Sequence, residues 1–169
     1  YVLSYPDRAA RDASWKAFGS DPEWKKVQSE SEVSGKIVAK VESIFMNATD
    51  FSPKIKSSKS KKDRVFELRT YTTNAGKLPD LLSRFRDHTL KLFKKHGMTN
   101  VAYWTVTGKD DTLIYILAHP SEEDGKKAFD AFRVDPVWVK ARDESEKNGK
   151  LASKVESVYM KATDFSTIK

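Results

Sequence analysis

The feature that most restricts the fold of this chain is an internal duplication. When the sequence is shifted by 114 positions, Tyr1–Ser52 aligns with Tyr115–Ser166 without a gap, and about 24 of the 52 pairs are identical. Both copies end alike, as KVESIFMNATDFS and KVESVYMKATDFS. No counterpart of Arg64–Ile114 precedes Tyr1. We therefore expect one complete repeat of about a hundred residues and the C-terminal half of another.

The residue pattern of the complete repeat predicts six elements in the order β-α-β-β-α-β. An apolar stripe at three- and four-residue spacing indicates an amphipathic helix that ends at Gly97; it comprises Leu78, Leu81, Leu82, Phe85, His88, Leu92 and Phe93. A second helical segment is expected after Pro120. Alternation or β-rich composition predicts four strands, at Val65–Thr72, Asn100–Thr107, Thr112–His119 and Lys154–Lys161.

This order is that of an α+β, ferredoxin-like βαββαβ unit, in which both helices cover one face of an antiparallel sheet. A second unit packed sheet to sheet would cover the other face, as in a dimeric α+β barrel formed within one chain. Three regions are predicted: a β-α-β half repeat over 1–52, a basic linker over 53–63, and the complete repeat over 64–169. An upstream piece, another polypeptide or a symmetry mate would have to complete the half repeat.

Composition is typical of a soluble globular chain, with 38% hydrophobic and 33% charged residues. No apolar run approaches the ~18 residues that a membrane-spanning helix needs. Cysteine is absent, which excludes disulfides and thiolate chemistry. The formal net charge is +7, and five lysines lie in Pro53–Asp63, PKIKSSKSKKD. We interpret this segment as a solvated linker, with contact to nucleic acid or acidic lipid as the alternative; no specific nucleic-acid motif supports that alternative.

The DPxW motif occurs in both copies. Asp21 and Asp135 each precede a proline, so each is predicted to be the N-cap of a helix whose first residue is that proline. Trp24 and Trp138 then fall in the first turn, where packing is the simplest role for the indole and ligand stacking the alternative.

No motif for a metal site, a phosphate loop or a nucleophile is present. The histidines His88, His96 and His119 lack the spacing of a zinc site. His96 precedes Gly97, so we expect it to cap a helix end. His119 is matched by Tyr5 in the first copy, so its chemistry is not required by both copies.

Several motifs together resemble the NIPSNAP family of the dimeric α+β barrel superfamily. They are FELRTYTTNAGKLPDLLSRF, KKHG, the Tyr103-Trp104 pair, AFxxDPxW and ATDFS. The resemblance covers the complete repeat and, over Tyr1–Ser52, the second half of another. It implies the same fold, and for this family roles in trafficking and in mitochondrial quality control have been proposed. Superfamily relatives include cofactor-independent monooxygenases and haem-binding enzymes, whose activities do not follow from the fold.

Six residues are candidates for a ligand site. His88 shares the apolar stripe of the first helix, so it should point toward the sheet, either as a buried core histidine or as a base or axial ligand in a pocket shared with Tyr103 or Trp104. Glu67, Arg69 and Tyr71 share one face of the first strand. We expect them to form a buried polar network in the sheet-to-sheet interface, or else a polar ligand site there.

Three functional hypotheses follow. The first is a scaffold or small-molecule-binding protein, whose ligand would be hydrophobic. The second is a cofactor-independent monooxygenase or isomerase that uses His88 on a hydrophobic substrate. The third is haem binding through His88. No cofactor is predicted under the first two hypotheses, and no residue is assigned as catalytic beyond His88 as a candidate.

Overall fold

A computed structural model of the chain describes residues 1–58 and 63–169. The predicted basic linker over 53–63 therefore lies partly outside the described residues. The described chain divides into two compact units, Tyr1–Ser43 and Ile44–Lys169. In the described residues no helix is both long and apolar enough to cross a membrane.

The first unit is a pair of helices, α1 (Arg8–Ser20) and α2 (Pro22–Ser31). The Asp7 side chain caps α1 by accepting the backbone N–H of Ala10 at 2.7 Å. Asp21 caps α2 in the same way, accepting the N–H of Trp24 at 2.9 Å. These capping carboxylates satisfy backbone donors that have no partner inside a helix.

The half repeat over 1–52 differs from the predicted β-α-β order in its strands. Tyr1–Tyr5 forms no strand, and of the predicted final strand only Met46–Ala48 is one. A strand requires backbone partners alongside it. Within the described part of the chain, no segment is paired with Tyr1–Tyr5.

In its described residues, 44–58 and 63–169, the second unit holds five strands and a second set of helices. Its strands are β1 (Met46–Ala48), β2 (Val65–Thr73), β3 (Thr99–Val106), β4 (Thr112–His119) and β5 (Ala152–Lys161). Its helices are α3 (Leu78–Arg84), α4 (Leu90–Lys95), α5 (Glu122–Arg133) and α6 (Pro136–Ser145). A π-helical segment, Phe85–Thr89, joins α3 to α4 without a break. Gly97 ends this long helix with a φ of 79°, a left-handed conformation that favours glycine.

All strands pair antiparallel in the order β1-β3-β4-β2-β5. Without β1, this is the strand order of a ferredoxin-like unit, so the predicted βαββαβ topology is confirmed. β1 belongs to the first copy of the repeat, and it extends the sheet of the second copy at the outer edge of β3.

The helices cover one face of this sheet. The core between helices and sheet is rich in aromatic side chains, including Phe85, Phe93, Tyr103, Tyr115 and Phe129. The opposite face carries a separate apolar cluster of Ala102, Trp104, Val106 and Ile114. Met46 of β1 packs against this second cluster.

The second helix pair repeats the first. Both α2 and α6 begin at a proline that follows a capping aspartate, and α6 is displaced from α2 by the 114 residues of the duplication. The Asp135 side chain accepts the N–H of Val137 at 2.9 Å. Trp138 packs on Phe132 with ring centroids 4.3 Å apart, and the corresponding distance from Trp24 to Phe18 is 4.5 Å. The predicted cap is confirmed in both copies, and Trp138 packs against the core as predicted, whereas Trp24 is exposed.

Candidate functional site

His88 does not point toward the sheet, so its predicted orientation is wrong. The cause is the π-helical segment, in which the N–H of Leu90 bonds the carbonyl of Phe85 five residues earlier. In this wider turn each residue is rotated by a smaller angle about the helix axis. Thr89 rather than His88 therefore takes the buried position near Phe85. Thr89 is 1% exposed, and its hydroxyl donates to the carbonyl of Arg84 at 3.1 Å. His88 lies on the exposed side of the helix.

Tyr103 and Trp104 do not share a pocket either, because neighbours on a strand point to opposite faces. Tyr103 is 0% exposed on the helix-covered face and stacks on Tyr115 at 5.0 Å. Its hydroxyl donates to the side-chain carbonyl of Asn100. Burial raises the pKa of the Tyr103 phenol far above its usual value, so the group stays neutral. Trp104 lies in the apolar cluster of the other face.

The structure therefore does not assemble the pocket that the oxygenase and haem hypotheses require. Such a pocket needs His88 beside Tyr103 or Trp104, and the three side chains lie on a helix surface and on two opposite faces of the sheet. His88 instead lines a shallow groove of about 340 Å³ between α3 and α6. The polar and charged side chains of that groove do not suit the predicted hydrophobic ligand; they include Asp80, Arg84, Asp87, Glu144 and Asn148.

Glu67 is the centre of a buried polar network. One of its oxygens accepts hydrogen bonds from Arg69 Nη1 at 2.6 Å and from Ser157 Oγ at 2.5 Å. Its other oxygen lies 3.0 Å from His119 Nε2. Burial alone would raise the pKa of Glu67, but the hydrogen bonds from His119 and Ser157 and the charge of Arg69 lower it to about 2. Glu67 is therefore ionised at neutral pH.

The expected contact between Glu67 and Arg69 is present, but the predicted location in a sheet-to-sheet interface is wrong. The guanidinium of Arg69 lies 4.3 Å from the ring centroid of Phe129 in α5, and Tyr71 packs edge-on against Phe85 at 5.7 Å. These contacts belong to the helix-covered face rather than to a sheet-to-sheet interface. Gly125 of α5 lies directly over His119, where a Cβ atom would come within 3.0 Å of the imidazole.

The chemistry of the network is that of a closed structural cluster. Ser157 donates to the carboxylate of Glu67 rather than to His119, so the arrangement does not activate the hydroxyl as a nucleophile. Sequence reasoning assigned no role to His119. The signal was nevertheless present, since strand alternation places His119 on the same face as Tyr115 and Leu117.

Asp135 joins two helices at a second cluster. Besides capping α6, its carboxylate contacts Lys95 Nζ at 2.6 Å and His96 Nε2 at 2.8 Å. The hydrogen bonds from Lys95, His96 and the N–H of Val137 hold the pKa of Asp135 well below its usual value. His96 is the C-cap residue of α4, as predicted, and Asp135 ties this helix end to the start of α6.

No metal site is built by the described residues 1–58 and 63–169. In these ranges, no three His, Asp or Glu side chains converge closely enough to hold an ion.

The best-formed recognition site of the described residues is the outer edge of β3. We call Thr49–Ser52 the first TDFS segment; it follows β1 directly. Thr49 donates its N–H to the carbonyl of Tyr103 at 3.0 Å, and the hydroxyl of Ser52 accepts the N–H of Tyr103 at 2.9 Å. Both backbone groups of one edge residue are thus satisfied by this segment.

Side chains fix the same segment. Arg86 donates two hydrogen bonds to Asp50, Nε to Oδ2 at 2.6 Å and Nη2 to Oδ1 at 2.7 Å. This bidentate pair lowers the pKa of Asp50 through the hydrogen bonds from Arg86. Between these anchors, Phe51 packs edge-on against Tyr103 at 5.6 Å, and the guanidinium of Arg86 lies 5.4 Å from the Phe51 ring centroid.

The second TDFS segment, Thr163–Ser166, has the same turn but lacks these contacts. In both segments the serine N–H donates to the threonine carbonyl at 3.1 Å. Phe165 is 82% exposed, whereas its counterpart Phe51 is half-buried. The two copies thus share a conformation and differ in their surroundings.

Comparison with known proteins gives a consistent result for the whole chain. The model of the family described as NIPSNAP matches residues 1–53 and 66–167. A Dictyostelium discoideum relative, "Protein NipSnap homolog", is 30% identical over 124 residues, which are 69% of this chain and 52% of that protein. The chain therefore spans about half the length of this relative.

Solved structures agree in fold. A NIPSNAP family protein of unknown function from Agrobacterium tumefaciens aligns with a TM-score of 0.56 at 23% identity, over 65% of this chain and 97% of its own. An uncharacterized NIPSNAP domain protein from Burkholderia xenovorans aligns with a TM-score of 0.51 at 20% identity, over 60% of this chain and 97% of its own. At these identities the likeness concerns the fold alone.

Proposed function

Given that this chain belongs to the NIPSNAP family, we propose that it is a scaffold protein, and that its ferredoxin-like unit binds an extended TDFS-containing segment at the outer edge of β3. The observation that carries the proposal is the seating of the first TDFS segment, in which backbone, ion-pair and aromatic contacts all converge on Tyr103 and Arg86.

This mode of binding is strand addition, in which backbone hydrogen bonds supply affinity and side-chain anchors supply specificity. β1 provides the added strand, with Met46 opposite Val106 and Ala48 opposite Trp104. Asp50 and Phe51 provide the anchors. A half-buried aromatic side chain beside a bidentate arginine combines two residue types that are enriched in protein interfaces.

The side chains that a catalytic site would need already have other partners or lie apart from one another, which supports the proposal. Both carboxylate oxygens of Glu67 are bound by neighbouring side chains, and Asp135 is bound by Lys95, His96 and a helix N-terminus. His88 is exposed and separated from Tyr103 and Trp104. A hydrophobic small-molecule ligand stays a prediction.

The test is binding of the segment in trans. In the full chain, Asp50→Ala combined with Phe51→Ala removes both anchors; we call this protein the vacated-edge variant. A labelled synthetic peptide of residues 44–56, IFMNATDFSPKIK, should bind this variant in a fluorescence anisotropy titration. The same peptide with alanine in place of the phenylalanine that corresponds to Phe51 should bind at least ~10-fold more weakly.

Two controls make the result specific. The wild-type chain should bind the peptide poorly, because its own segment occupies the edge at a high effective concentration. Adding Arg86→Ala to the vacated-edge variant should weaken binding, since the partner of the peptide aspartate is removed. Equal binding of both peptides to a variant whose circular dichroism is native would refute the proposal.

A further inference from the structure

The two copies of the duplicated ending differ in sequence by one residue over seven positions. Met46–Ser52 reads MNATDFS and Met160–Ser166 reads MKATDFS. The TDFS residues that anchor the first copy, Asp50, Phe51 and Ser52 among them, are therefore also present in the second. The residue that differs is Asn47, whose Nδ2 donates to Thr107 Oγ1 at 3.2 Å. Because the turn is the same as well, the second copy is already shaped for the seat that the first one occupies.

Asp164 and Phe165 of the second copy have no such seat, whereas the Ser166 hydroxyl donates to the Ile168 carbonyl at 2.9 Å and accepts the Ile168 N–H at 3.3 Å. Phe165 exposes 82% of its surface. The carboxylate of Asp164 accepts the N–H of Phe165 at 3.0 Å, and among the described residues no lysine or arginine pairs with it. In the first copy, the phenylalanine packs on Tyr103 and the neighbouring carboxylate pairs with Arg86. In the second copy, the same two side chains lack these contacts.

The strands leading into the two segments lie at opposite ends of the sheet. β5 lies at one end of the sheet and pairs only with β2, for example Met160 with Phe66. β1 lies at the opposite end and pairs only with β3. Within the described sheet, the outer edge of β5 is therefore open along the residues that correspond to β1.

We propose that the second TDFS segment, Thr163–Ser166, docks on the sheet edge of another ferredoxin-like repeat unit of the same kind. The partner supplies an arginine that clamps Asp164, an aromatic edge-strand residue that packs on Phe165, and a backbone N–H that donates to Ser166. In the partner these groups correspond to Arg86 and Tyr103. The inference rests on the proposed function and names its partner.

The seat within the same chain is not the target, because Phe51 and Asp50 already fill it. The partner must therefore offer a repeat unit whose edge is vacant. Charge complementarity supports this choice. The segment carries a carboxylate, and the seat observed in this chain offers the cationic side chain of Arg86 to such a group.

The vacated-edge variant provides both halves of the interaction in one protein. Its own segment keeps the backbone pairing with β3 but has lost both side-chain anchors, which weakens its hold on the edge, and its second TDFS segment is unchanged. We expect it to self-associate in a concentration-dependent way in sedimentation velocity, while the wild-type chain at the same concentrations shows less association. Adding Phe165→Ala should weaken the association at least ~10-fold, because the aromatic anchor is lost.

A charge exchange gives the sharper readout. Arg86→Glu in the vacated-edge variant should abolish self-association by repelling Asp164, and a further Asp164→Arg change should restore it by reversing the pair. If the vacated-edge variant has lost its native circular dichroism, the single change Phe51→Ala takes its place in all arms.

The outcomes separate the inference from the function on which it rests. A variant that binds the 44–56 peptide but does not self-associate through Phe165 overturns the inference and leaves the proposed function standing. A folded variant that neither binds the peptide nor self-associates overturns both. Association that survives both Phe165→Ala and Arg86→Glu uses another surface and also overturns the inference.

Discussion

Glu67 and His119 are joined by a contact of 3.0 Å between Oε2 and Nε2, although they come from different strands and each is only 1% exposed. Burial of a carboxylate is unfavourable unless its oxygens are satisfied. Here Arg69 and Ser157 bind the other oxygen, so the cluster links β2 to β4 and β5 at once. The sheet is thus held by a polar centre within an otherwise aromatic core.

The first prediction concerns this centre. Glu67→Gln should destabilise the second unit by about 2–4 kcal/mol at pH 7, because Arg69 is left buried without its counter-charge. The measurement is urea unfolding followed by tryptophan fluorescence. Ser157→Ala is the milder control, since it removes one hydrogen bond and leaves the ion pair, with an expected loss of about 1 kcal/mol.

The stability difference between wild type and Glu67→Gln should also depend on pH. The pKa of Glu67 is about 2 in the folded protein, whereas its ordinary value in the absence of such contacts is 4.5. A lowered carboxyl pKa stabilises the fold above the unfolded value, and this contribution is lost as the pH falls from about 4.5 toward 2. A difference that stays constant over this range would contradict the assignment.

The second prediction uses Gly125. Alanine in a helix interior is normally favoured over glycine by about 1 kcal/mol. At Gly125 the added Cβ would lie 3.0 Å from His119 Cγ and 3.1 Å from Cδ2, so the ring would have to shift and its bond to Glu67 would weaken. Gly125→Ala should therefore destabilise the second unit rather than stabilise it, as measured by urea unfolding.

Gly19 supplies the matched control because it also lies in a helix and a Cβ there would have no atom within 4 Å. Gly19→Ala should slow amide hydrogen exchange in α1, as expected from helix propensity alone. If Gly125→Ala slowed exchange in α5 in the same way, the packing of Gly125 on His119 would not be tight.

The third prediction separates capping from ion pairing at Asp135. Asp135→Ser retains a side-chain oxygen for the start of α6 but removes the contacts with Lys95 and His96. We expect the melting temperature to fall in the order wild type, Asp135→Ser, Asp135→Ala. Because the pKa of Asp135 is lowered, the gap between wild type and Asp135→Ser should close as the pH falls below the ordinary aspartate range. Equal melting temperatures for Asp135→Ser and wild type at pH 7 would refute this role of the ion pairs.

The topology of the second unit follows from sequence because its signals are strong and agree with one another. The alternation in Val65–Thr72 and the apolar stripe that begins at Leu78 define different periods, and Gly97 separates the helix from the next strand. Because the two copies align, the helix cap predicted at Asp135 is also predicted at Asp21, and both caps are present in the structure.

Two features could not be predicted because the sequence carries no local mark for them. Leu81, Phe85 and Leu92 have the same spacing with or without the π-helical turn, so the pattern alone placed His88 in the buried stripe. Strand alternation likewise grouped Glu67 with Arg69, but it does not say which of the two faces the helices cover. Both corrections arise from tertiary packing rather than from local preference.

The fourth prediction tests the consequence of the π-helical turn with neighbouring residues. His88→Ala should change stability by less than about 0.5 kcal/mol, since the side chain is exposed. Thr89→Ala should cost about 1–2 kcal/mol, because it removes a buried hydroxyl bonded to the Arg84 carbonyl. Urea unfolding of the two variants in parallel measures both values. The reverse order would mean that the helix is regular and that His88 points inward.

The fifth prediction compares the two copies of one motif within one chain. Phe51→Ala should destabilise the second unit by about 1–2 kcal/mol, because the ring is half-buried against Tyr103 and under Arg86. Phe165→Ala should change stability by less than about 0.5 kcal/mol, because the same side chain in the same turn is 82% exposed. Amide hydrogen exchange should report the same difference locally. The N–H of Tyr103 donates a hydrogen bond to the Ser52 hydroxyl, so it should exchange faster in Phe51→Ala and at an unchanged rate in Phe165→Ala. Equal costs for the two substitutions would mean that the first TDFS segment is not seated on the β3 edge, and the proposed mode of recognition would fail with it.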